Sequence, residues 1–256
     1  MDFQYLEIER KEKLAIVTIK RPEALNALNE AVLGEINSCV DTLEAEEIRV
    51  AIFTGTGKAF IAGADIASMR EYGAKEAYAF CNFGQSVFTK LANSSVICIA
   101  AINGFALGGG LEFALSCDLR VIAEPAKIGL PEVSLGIIPG FGGTQRLARL
   151  VGKGTAAEVI LTGDMYSAED AYRMGIVNKI CKPEELLESA EKFAKSILAK
   201  GPNAITRAKT VIRKGLDGTL EEGLYQEKST FSALFGQEES KEGLTAFLEK
   251  RKANFS

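Results

Sequence analysis

The sequence predicts an α/β fold in which strands and helices alternate, followed by a region that is helical throughout. Three observations lead to this prediction. Apolar runs of strand length, bounded by glycine, proline or charged residues, recur up to about residue 183. Between them, apolar residues repeat at helical spacing. From about residue 184 onward, the helical pattern is the one that continues to the end of the chain.

In the first part of the chain, each strand pattern can be placed in order. Arg21-Pro22 interrupts the chain after two strands, and Asn29 is the predicted N-cap of the first helix. The predicted strands are 6–9, 14–19, 49–54, 96–102 and 119–123. The predicted helices run from Asn29 to the acidic segment 44–47, over 75–92 and over 110–116. This alternation indicates stacked ββα or βαβ units with mainly buried sheets.

The C-terminal part begins with an amphipathic helix over 186–197, which Gly201-Pro202 stops. Three more helices are predicted over 203–215, 219–235 and 240–251. We therefore assign residues 1–195 to an α/β core and 196–256 to a helical region. Because a helical region of about 60 residues gains little stability alone, we expect it to pack on the core, on a neighbouring subunit, or on both.

Composition excludes several classes of protein. The formal net charge is −4 and there is no basic block, so we expect no nucleic-acid partner and no anionic membrane surface. The chain contains neither a run of 18 apolar residues nor a signal-peptide pattern at its start, which predicts a cytoplasmic protein without a membrane span. Its five cysteines include no C-x-x-C pair and are predicted to be reduced.

The chain has no histidine. This excludes Ser-His-Asp and Cys-His catalysis and zinc sites that need histidine, and we expect no metal. Carboxylates are therefore the first candidates for acid/base chemistry near neutral pH. Glu112 lies in the apolar segment 111–115, and Glu132 lies between Pro131 and Val133.

A carboxylate in apolar surroundings is costly unless it is hydrogen-bonded or neutralised. Taken singly, Glu112 fits a solvent-facing helix position, and Glu132 fits a carboxylate at a helix N-terminus. Their joint occurrence near glycine-rich turns favours a catalytic pair.

Glycines form two further motifs. Gly55-Thr56-Gly57-Lys58 fails the P-loop pattern, because Ile52 and Ala59 occupy positions that require Gly and Ser or Thr, and a tight turn is predicted there. The triplet at 108–110 does not match the dinucleotide fingerprint. It is either a simple turn or a bend from which a helix aims free N–H groups at a ligand.

Four segments carry a distinctive pattern of glycine, alanine and acidic residues. They read AFIAGAD at 59–65, NGFALGGGLE at 103–112, GLPEVSLGIIPG at 129–140 and GGTQRL at 142–147. In this order they resemble the crotonase, or enoyl-CoA hydratase/isomerase, family. The similarity extends over nearly the whole chain, from Arg21-Pro22 and 26–28 near its start to 247–252 near its end.

The resemblance implies a crotonase-like spiral of ββα units with a C-terminal helical region that mediates trimer formation. It implies a homotrimer, or a homohexamer built as a dimer of trimers. The ligand would be an acyl-CoA thioester, and no separate cofactor is expected because coenzyme A is part of the substrate. The family's oxyanion hole consists of two backbone N–H groups, which correspond here to Ala64 and Gly109.

The resemblance also implies a reaction. In similar hydratases both glutamates, here Glu112 and Glu132, hold one water; one accepts its proton and the other, here Glu132, protonates the α-carbon. Isomerases of the family often keep only the equivalent of Glu132. The chain thus resembles hydratases that reversibly add water, with syn geometry, to 2-trans-enoyl-CoA to give 3-hydroxyacyl-CoA. A Δ3,Δ2-enoyl-CoA isomerase and a non-catalytic CoA- or RNA-binding member of the fold stay open as alternatives.

Substrate contacts are implied in the same way. Residues 66–90 would shape the acyl pocket. Leu130 stands where many such hydratases have glutamine, which bears on substrate preference or rate. The acyl chain length and the physiological direction, fatty-acid oxidation or butyrate-type synthesis, are left open. The implied contacts to substrate and coenzyme A are Ala62, Ala64, Asp65, Ile66, Ala67, Gly109, Gly140, Phe247 and Lys250.

Overall fold

A computed structural model describes residues 3–255, and within this range ten strands and ten α-helices are found. The strands are β1 Leu6–Lys11, β2 Leu14–Ile19, β3 Val50–Gly55, β4 Ala59–Ile61, β5 Ile97–Ile102, β6 Phe105–Leu107, β7 Leu119–Ala123, β8 Lys127–Gly129, β9 Met165–Ser167 and β10 Lys179–Cys181. The helices are α1 Glu30–Ala45, α2 Ile66–Met69, α3 Ala74–Asn93, α4 Gly109–Ser116, α5 Gly143–Thr162, α6 Ala168–Arg173, α7 Leu186–Leu198, α8 Pro202–Gly215, α9 Leu220–Leu234 and α10 Glu238–Leu248.

The strands form two sheets. The larger has the order β1-β2-β3-β5-β7-β10, and it is parallel except for the β1–β2 pair. The smaller has the order β4-β6-β8-β9. Three times in succession, a strand of the larger sheet is followed by a three-residue strand of the smaller sheet and then by helix. This repetition of ββα units confirms the predicted α/β class and the crotonase-like spiral.

The predicted strands of the larger sheet are confirmed within two residues. Four of them, β2, β3, β5 and β7, are almost wholly buried and therefore read as continuous apolar runs, whereas β1 is largely exposed and alternates apolar with charged residues at its start. All six residues of β5 are buried. The predicted N-cap also forms, since the Asn29 side chain accepts a hydrogen bond from the N–H of Val32 at 2.9 Å. Gly55 ends β3, as expected for a turn rather than a phosphate loop.

Aromatic packing fixes the position of α4, the helix that carries Glu112. Phe113 is fully buried and contacts Phe53, Phe60 and Phe88, with ring centroids 5.3, 5.9 and 5.5 Å apart. Such edge-on and tilted contacts add to the free energy gained by burying each ring. The middle of α4 is thereby held against β3, β4 and α3.

A buried arginine holds the C-terminal end of α4. Arg120 is 6% exposed, and its guanidinium donates hydrogen bonds to the carbonyl oxygens of Ala114, Cys117 and Ile176 at 3.1, 2.7 and 2.8 Å. Carbonyls at a helix C-terminus lack partners within the helix, and a cation there also interacts favourably with the helix dipole.

The chain divides into one compact unit that ends at Lys192 and a second that starts at Phe193. This division falls inside α7, as does the boundary predicted after residue 195. In the second unit, α8, α9 and α10 form at the predicted positions with ends shifted by up to three residues. Glu239 accepts hydrogen bonds from the N–H groups of Asn203 and Ala204, which ties α10 to the start of α8. Within residues 3–255, no helix has the length and apolar character needed to cross a membrane.

Replacing Arg120 tests its role in holding α4. Arg120→Met should lower the free energy of unfolding by at least about 3 kcal/mol, because three buried carbonyls lose their donor. Arg173→Met is the matched control, since Arg173 forms an exposed ion pair with Asp170 that is worth at most about 1 kcal/mol. Urea unfolding measures both variants, and equal stabilities would contradict the assignment.

Candidate active site

A cavity of about 750 Å³ lies in the first unit. Both glutamates singled out by the sequence line it, together with Ala64 and Gly109. Its remaining walls are mainly apolar, as is usual for a small-molecule site with a few polar groups. They are formed by residues that include Ala62, Gly63, Ile66, Met69, Ala77, Phe80, Cys81, Gln85, Leu107, Gly108, Ile137, Ile138, Pro139, Gly140, Phe141 and Thr144.

Glu112 lies in the first turn of α4 and is 1% exposed. The structure therefore rules out the solvent-facing alternative. Its Oε1 accepts hydrogen bonds from the N–H groups of Phe141 and Gly143 at 2.8 and 2.7 Å. Burial raises the pKa of Glu112 to about 7; Glu132 adds to this rise, and the two N–H donors oppose it.

The sequence analysis did not identify Phe141 and Gly143, because backbone donors leave no side-chain signal. The glycines at 140, 142 and 143 are the one sequence feature that could have indicated a close backbone approach there. A Cβ at Gly143 would lie 3.0 Å from Oε1 of Glu112. The Phe141 ring packs edge-on against Phe80 and Phe88, with ring centroids 5.1 and 5.5 Å away. These contacts fix the backbone that holds Glu112.

Glu132 approaches the same place from a different element, the 3-10 helix Pro131–Leu135. Its side chain is half-buried, and its Oε2 is buried without a hydrogen-bond partner among residues 3–255. Burial raises the pKa of Glu132. Gly108 has φ +50°, and a Cβ there would lie 2.7 Å from Oε1 of Glu132. The glycine triplet therefore lies against one carboxyl group, and the helix that follows it carries the other.

Ala64 and Gly109, which both line the cavity, belong to two different elements. Leu28 and Ala64 form a parallel bridge, in which Leu28 N–H donates to Gly63 O and Asp65 N–H donates to Leu28 O, at 2.9 and 2.8 Å. The N–H of Ala64 itself therefore points away from Leu28. Gly109 is the first residue of α4, where N–H groups have no acceptor within the helix.

Other residues implied by the resemblance are placed unevenly. Ala62, Ile66 and Gly140 line the cavity, and the carbonyl of Gly140 accepts a hydrogen bond from Gln85 Nε2 at 2.8 Å. Six residues within the predicted acyl-pocket segment 66–90 line it too: Ile66, Met69, Ala77, Phe80, Cys81 and Gln85. Leu130 is fully buried directly before the helix of Glu132.

Asp65 and Ala67 are not among the lining residues of this cavity. Asp65 instead forms an ion pair with Arg21, with Nη2 2.7 Å from Oδ2. Ala67 belongs to the short helix α2. Phe247 and Lys250 belong to the second unit, and their contact with coenzyme A stays a prediction.

The remaining reactive groups do not compete with the glutamates. All five cysteines are free, and burial raises the pKa of the Cys81 thiol in the cavity wall, which disfavours a nucleophilic thiolate. Over residues 3–255, no cluster of three or more Cys, Asp or Glu side chains is arranged to hold a metal ion. The site therefore offers two carboxyl groups with raised pKa values beside N–H donors. That set suits proton transfer to and from a substrate that develops negative charge.

Known proteins match the chain over its whole length. The sequence model of the enoyl-CoA hydratase/isomerase family matches residues 9–256. A crotonyl-CoA hydratase of Syntrophomonas wolfei is 47% identical over 100% of this chain and 99% of its own. A short-chain-enoyl-CoA hydratase of Clostridium acetobutylicum is 44% identical over 98% of this chain and 97% of its own. The crystal structure of an enoyl-CoA hydratase from Bacillus anthracis superposes with a TM-score of 0.94, at 36% identity, over 98% of this chain and 99% of that one.

The raised pKa of Glu112 predicts how stability changes with pH. The folded protein binds the proton more tightly than the unfolded chain, so the Glu112 contribution to stability is greatest below pH 4.5 and declines as the pH rises to about 7. The free energy of unfolding of Glu112→Gln, relative to wild type, should therefore rise over this interval by up to about 3 kcal/mol. Urea unfolding at a series of pH values measures this difference. A difference that is constant with pH would contradict the raised pKa.

Proposed function

Because this chain belongs to the enoyl-CoA hydratase/isomerase family, we propose that it adds water reversibly, with syn geometry, to a 2-trans-enoyl-CoA and gives the 3-hydroxyacyl-CoA. The protein is an enzyme of the enoyl-CoA hydratase type, a hydro-lyase. The observation that supports the detailed reaction is the meeting of Glu112 and Glu132 at one cavity. An isomerase needs one proton-transfer group, whereas water addition uses one carboxylate and one carboxylic acid.

The N–H groups of Ala64 and Gly109 would bind the thioester oxygen as an oxyanion hole. As the water oxygen bonds to the β-carbon, electron density moves through the α-carbon to the thioester oxygen. Donors that are aimed beforehand at this charge stabilise the enolate-like transition state more than the substrate. By analogy with other oxyanion holes, each donor contributes about 3–4 kcal/mol. Both residues line the cavity, which supports this assignment.

The two glutamates would divide the proton transfers. Glu112 takes a proton from the water as the water oxygen bonds to the β-carbon, and Glu132 gives its proton to the α-carbon. After one turnover the proton of the pair has therefore moved from Glu132 to Glu112. Two backbone N–H donors on Oε1 favour the ionised form of Glu112. Oε2 of Glu132 is buried without such a donor among the described residues, which favours its protonated form.

For the substrate, we favour a short acyl chain, because the two curated relatives named above act on crotonyl-CoA and on short-chain enoyl-CoA by their names. We also propose a role in fatty-acid metabolism, which that substrate class supports, and a cytoplasmic location. We also propose that Phe247 and Lys250 contact the nucleotide end of coenzyme A.

For the assembly, we propose a homotrimer or a homohexamer. The large apolar side chains that α8, α9 and α10 leave exposed support it, among them Ile212, Phe231, Leu244 and Phe247.

Absorbance loss of crotonyl-CoA tests the reaction and both carboxyl groups. Glu112→Gln and Glu132→Gln should each lower kcat by at least about 100-fold, because each removes a proton-transfer group. The exposed Glu124→Gln is the matched control and should keep full activity. Undiminished hydration by either active-site variant would contradict the assignment of Glu112 and Glu132 as the proton-transfer pair. Conversion of 3-enoyl-CoA to the conjugated isomer without hydration would favour the isomerase alternative.

Substitution of Gly108 tests whether the close approach of the backbone to Glu132 is needed for catalysis. Gly108→Ala places a Cβ against Oε1 of Glu132 and imposes φ +50° on an alanine, so Glu132 must move. We expect kcat for crotonyl-CoA to fall by about 100-fold, since a shift of about 1 Å at a reacting group has effects of that size. Gly175→Ala is the control, because its φ is +77°, a Cβ there meets nothing within 4 Å, and Gly175 is not among the lining residues of the cavity. Similar kcat values for the two variants would show that the approach to Glu132 is unimportant.

A further inference from the structure

Ala64 lies in the segment 62–65, which is hydrogen-bonded to residues 21–28. Three backbone hydrogen bonds join them. Ala62 N–H donates to Leu25 O at 3.1 Å, and in the Leu28–Ala64 bridge Leu28 N–H donates to Gly63 O and Asp65 N–H donates to Leu28 O. The direction of the Ala64 N–H is therefore set by where residues 25–28 lie. A change of position there would be passed directly to the proposed donor.

That stretch has an unusual backbone. Leu25 and Asn26 have φ values of 51° and 59°, a conformation that costs about 1 kcal/mol or more for residues other than glycine. Asn26 is fully buried, and its side chain donates to the carbonyl oxygens of Thr56 and Ala59 at 3.0 and 2.8 Å. Such a conformation persists only where surrounding contacts enforce it.

Arg21 joins the two segments on either side of the bridge. Its Nη1 donates to the carbonyl of Ala27 at 2.9 Å, and its Nη2 lies 2.7 Å from Oδ2 of Asp65. These two partners are the immediate neighbours of Leu28 and Ala64, the residues paired in the bridge. Both side chains are largely shielded, with 16% and 17% of their area exposed. A guanidinium with fixed donor geometry suits such a double contact better than an ammonium does.

We propose that Arg21 and Asp65 are positioning residues that together hold the N–H of Ala64 in the direction needed to bind the thioester oxygen. This inference rests on the proposed function and deepens it: Asp65 acts through the backbone donor beside it and not by contact with coenzyme A. The hydrogen bond from Arg21 holds the pKa of Asp65 below its usual range. The Asp65 carboxylate therefore remains ionised throughout the neutral range in which the hydratase would work.

The test uses a readout specific to the thioester oxygen. [1-13C]Butyryl-CoA has no double bond to hydrate, and hydrogen bonds to its carbonyl oxygen move the carbonyl 13C resonance on binding to the full-length protein. In Asp65→Ala this shift should shrink, and kcat for crotonyl-CoA should fall by about 10- to 100-fold, while KM changes less than about threefold. Asp65→Asn keeps a hydrogen bond from the Arg21 guanidinium, now to a neutral amide oxygen, and should recover part of both quantities.

Two further variants complete the experiment. Arg21→Lys keeps the charge and loses the double contact, so it should resemble Asp65→Asn. Glu23→Ala is the matched control, because Glu23 lies 3.9 Å from the same guanidinium but is 70% exposed, and it should leave the shift and kcat unchanged.

Three outcomes would overturn the inference. An Asp65→Ala enzyme that shows the wild-type 13C shift and kcat but a raised KM would make the pair a contact to coenzyme A. A loss of shift that neither Asp65→Asn nor Arg21→Lys restores in part would point to general disruption of the segment. Wild-type protein that hydrates crotonyl-CoA but leaves the bound carbonyl unshifted would overturn the oxyanion hole and the positioning role with it, whereas absence of hydration would overturn the proposed function itself.

Discussion

The burial of Glu112 is the constraint on which the rest of the structure depends. A carboxyl group with 1% exposure costs several kcal/mol unless donors reach it. Those donors are the N–H groups of Phe141 and Gly143, which lie 29 and 31 residues further along the chain. The first turn of α4 and the start of α5 must therefore meet in one arrangement. Burial, against the effect of these two donors, raises the pKa of Glu112 into the range useful for proton transfer.

The fold satisfies this requirement with elements that have no chemical role. Aromatic rings around Phe113 fix the middle of α4, and the guanidinium of Arg120 satisfies carbonyls at its C-terminal end. Gly108 leaves room for Glu132 where any side chain would intrude. Glu112, Glu132, Ala64 and Gly109 thus line one cavity from different elements of the fold. The cost of burying polar groups is offset by packing over the whole first unit.

Much of this could be predicted from the sequence, for physical reasons that can be named. Strands such as β5 are buried on both faces and read as unbroken apolar runs, and α1 has an N-cap and helical spacing. The three-residue strands of the smaller sheet, β4, β6, β8 and β9, are too short for periodicity to detect. Glu112 and Glu132 stood out as carboxylates in apolar surroundings. Phe141 and Gly143 act through main-chain atoms, which every residue has, so their role required the structure. The ion pair between Asp65 and Arg21 also required the structure, because the two residues are 44 positions apart in the sequence.

The account is tested most directly by the crystal structure of the protein with butyryl-CoA bound. It predicts a thioester oxygen about 2.7–3.1 Å from the nitrogens of both Ala64 and Gly109. The β-carbon should then face Glu112 and Glu132 together, with room for one water between them. An acyl group whose oxygen lies away from both nitrogens, or whose β-carbon only one carboxyl group approaches, would contradict the convergence that defines this site.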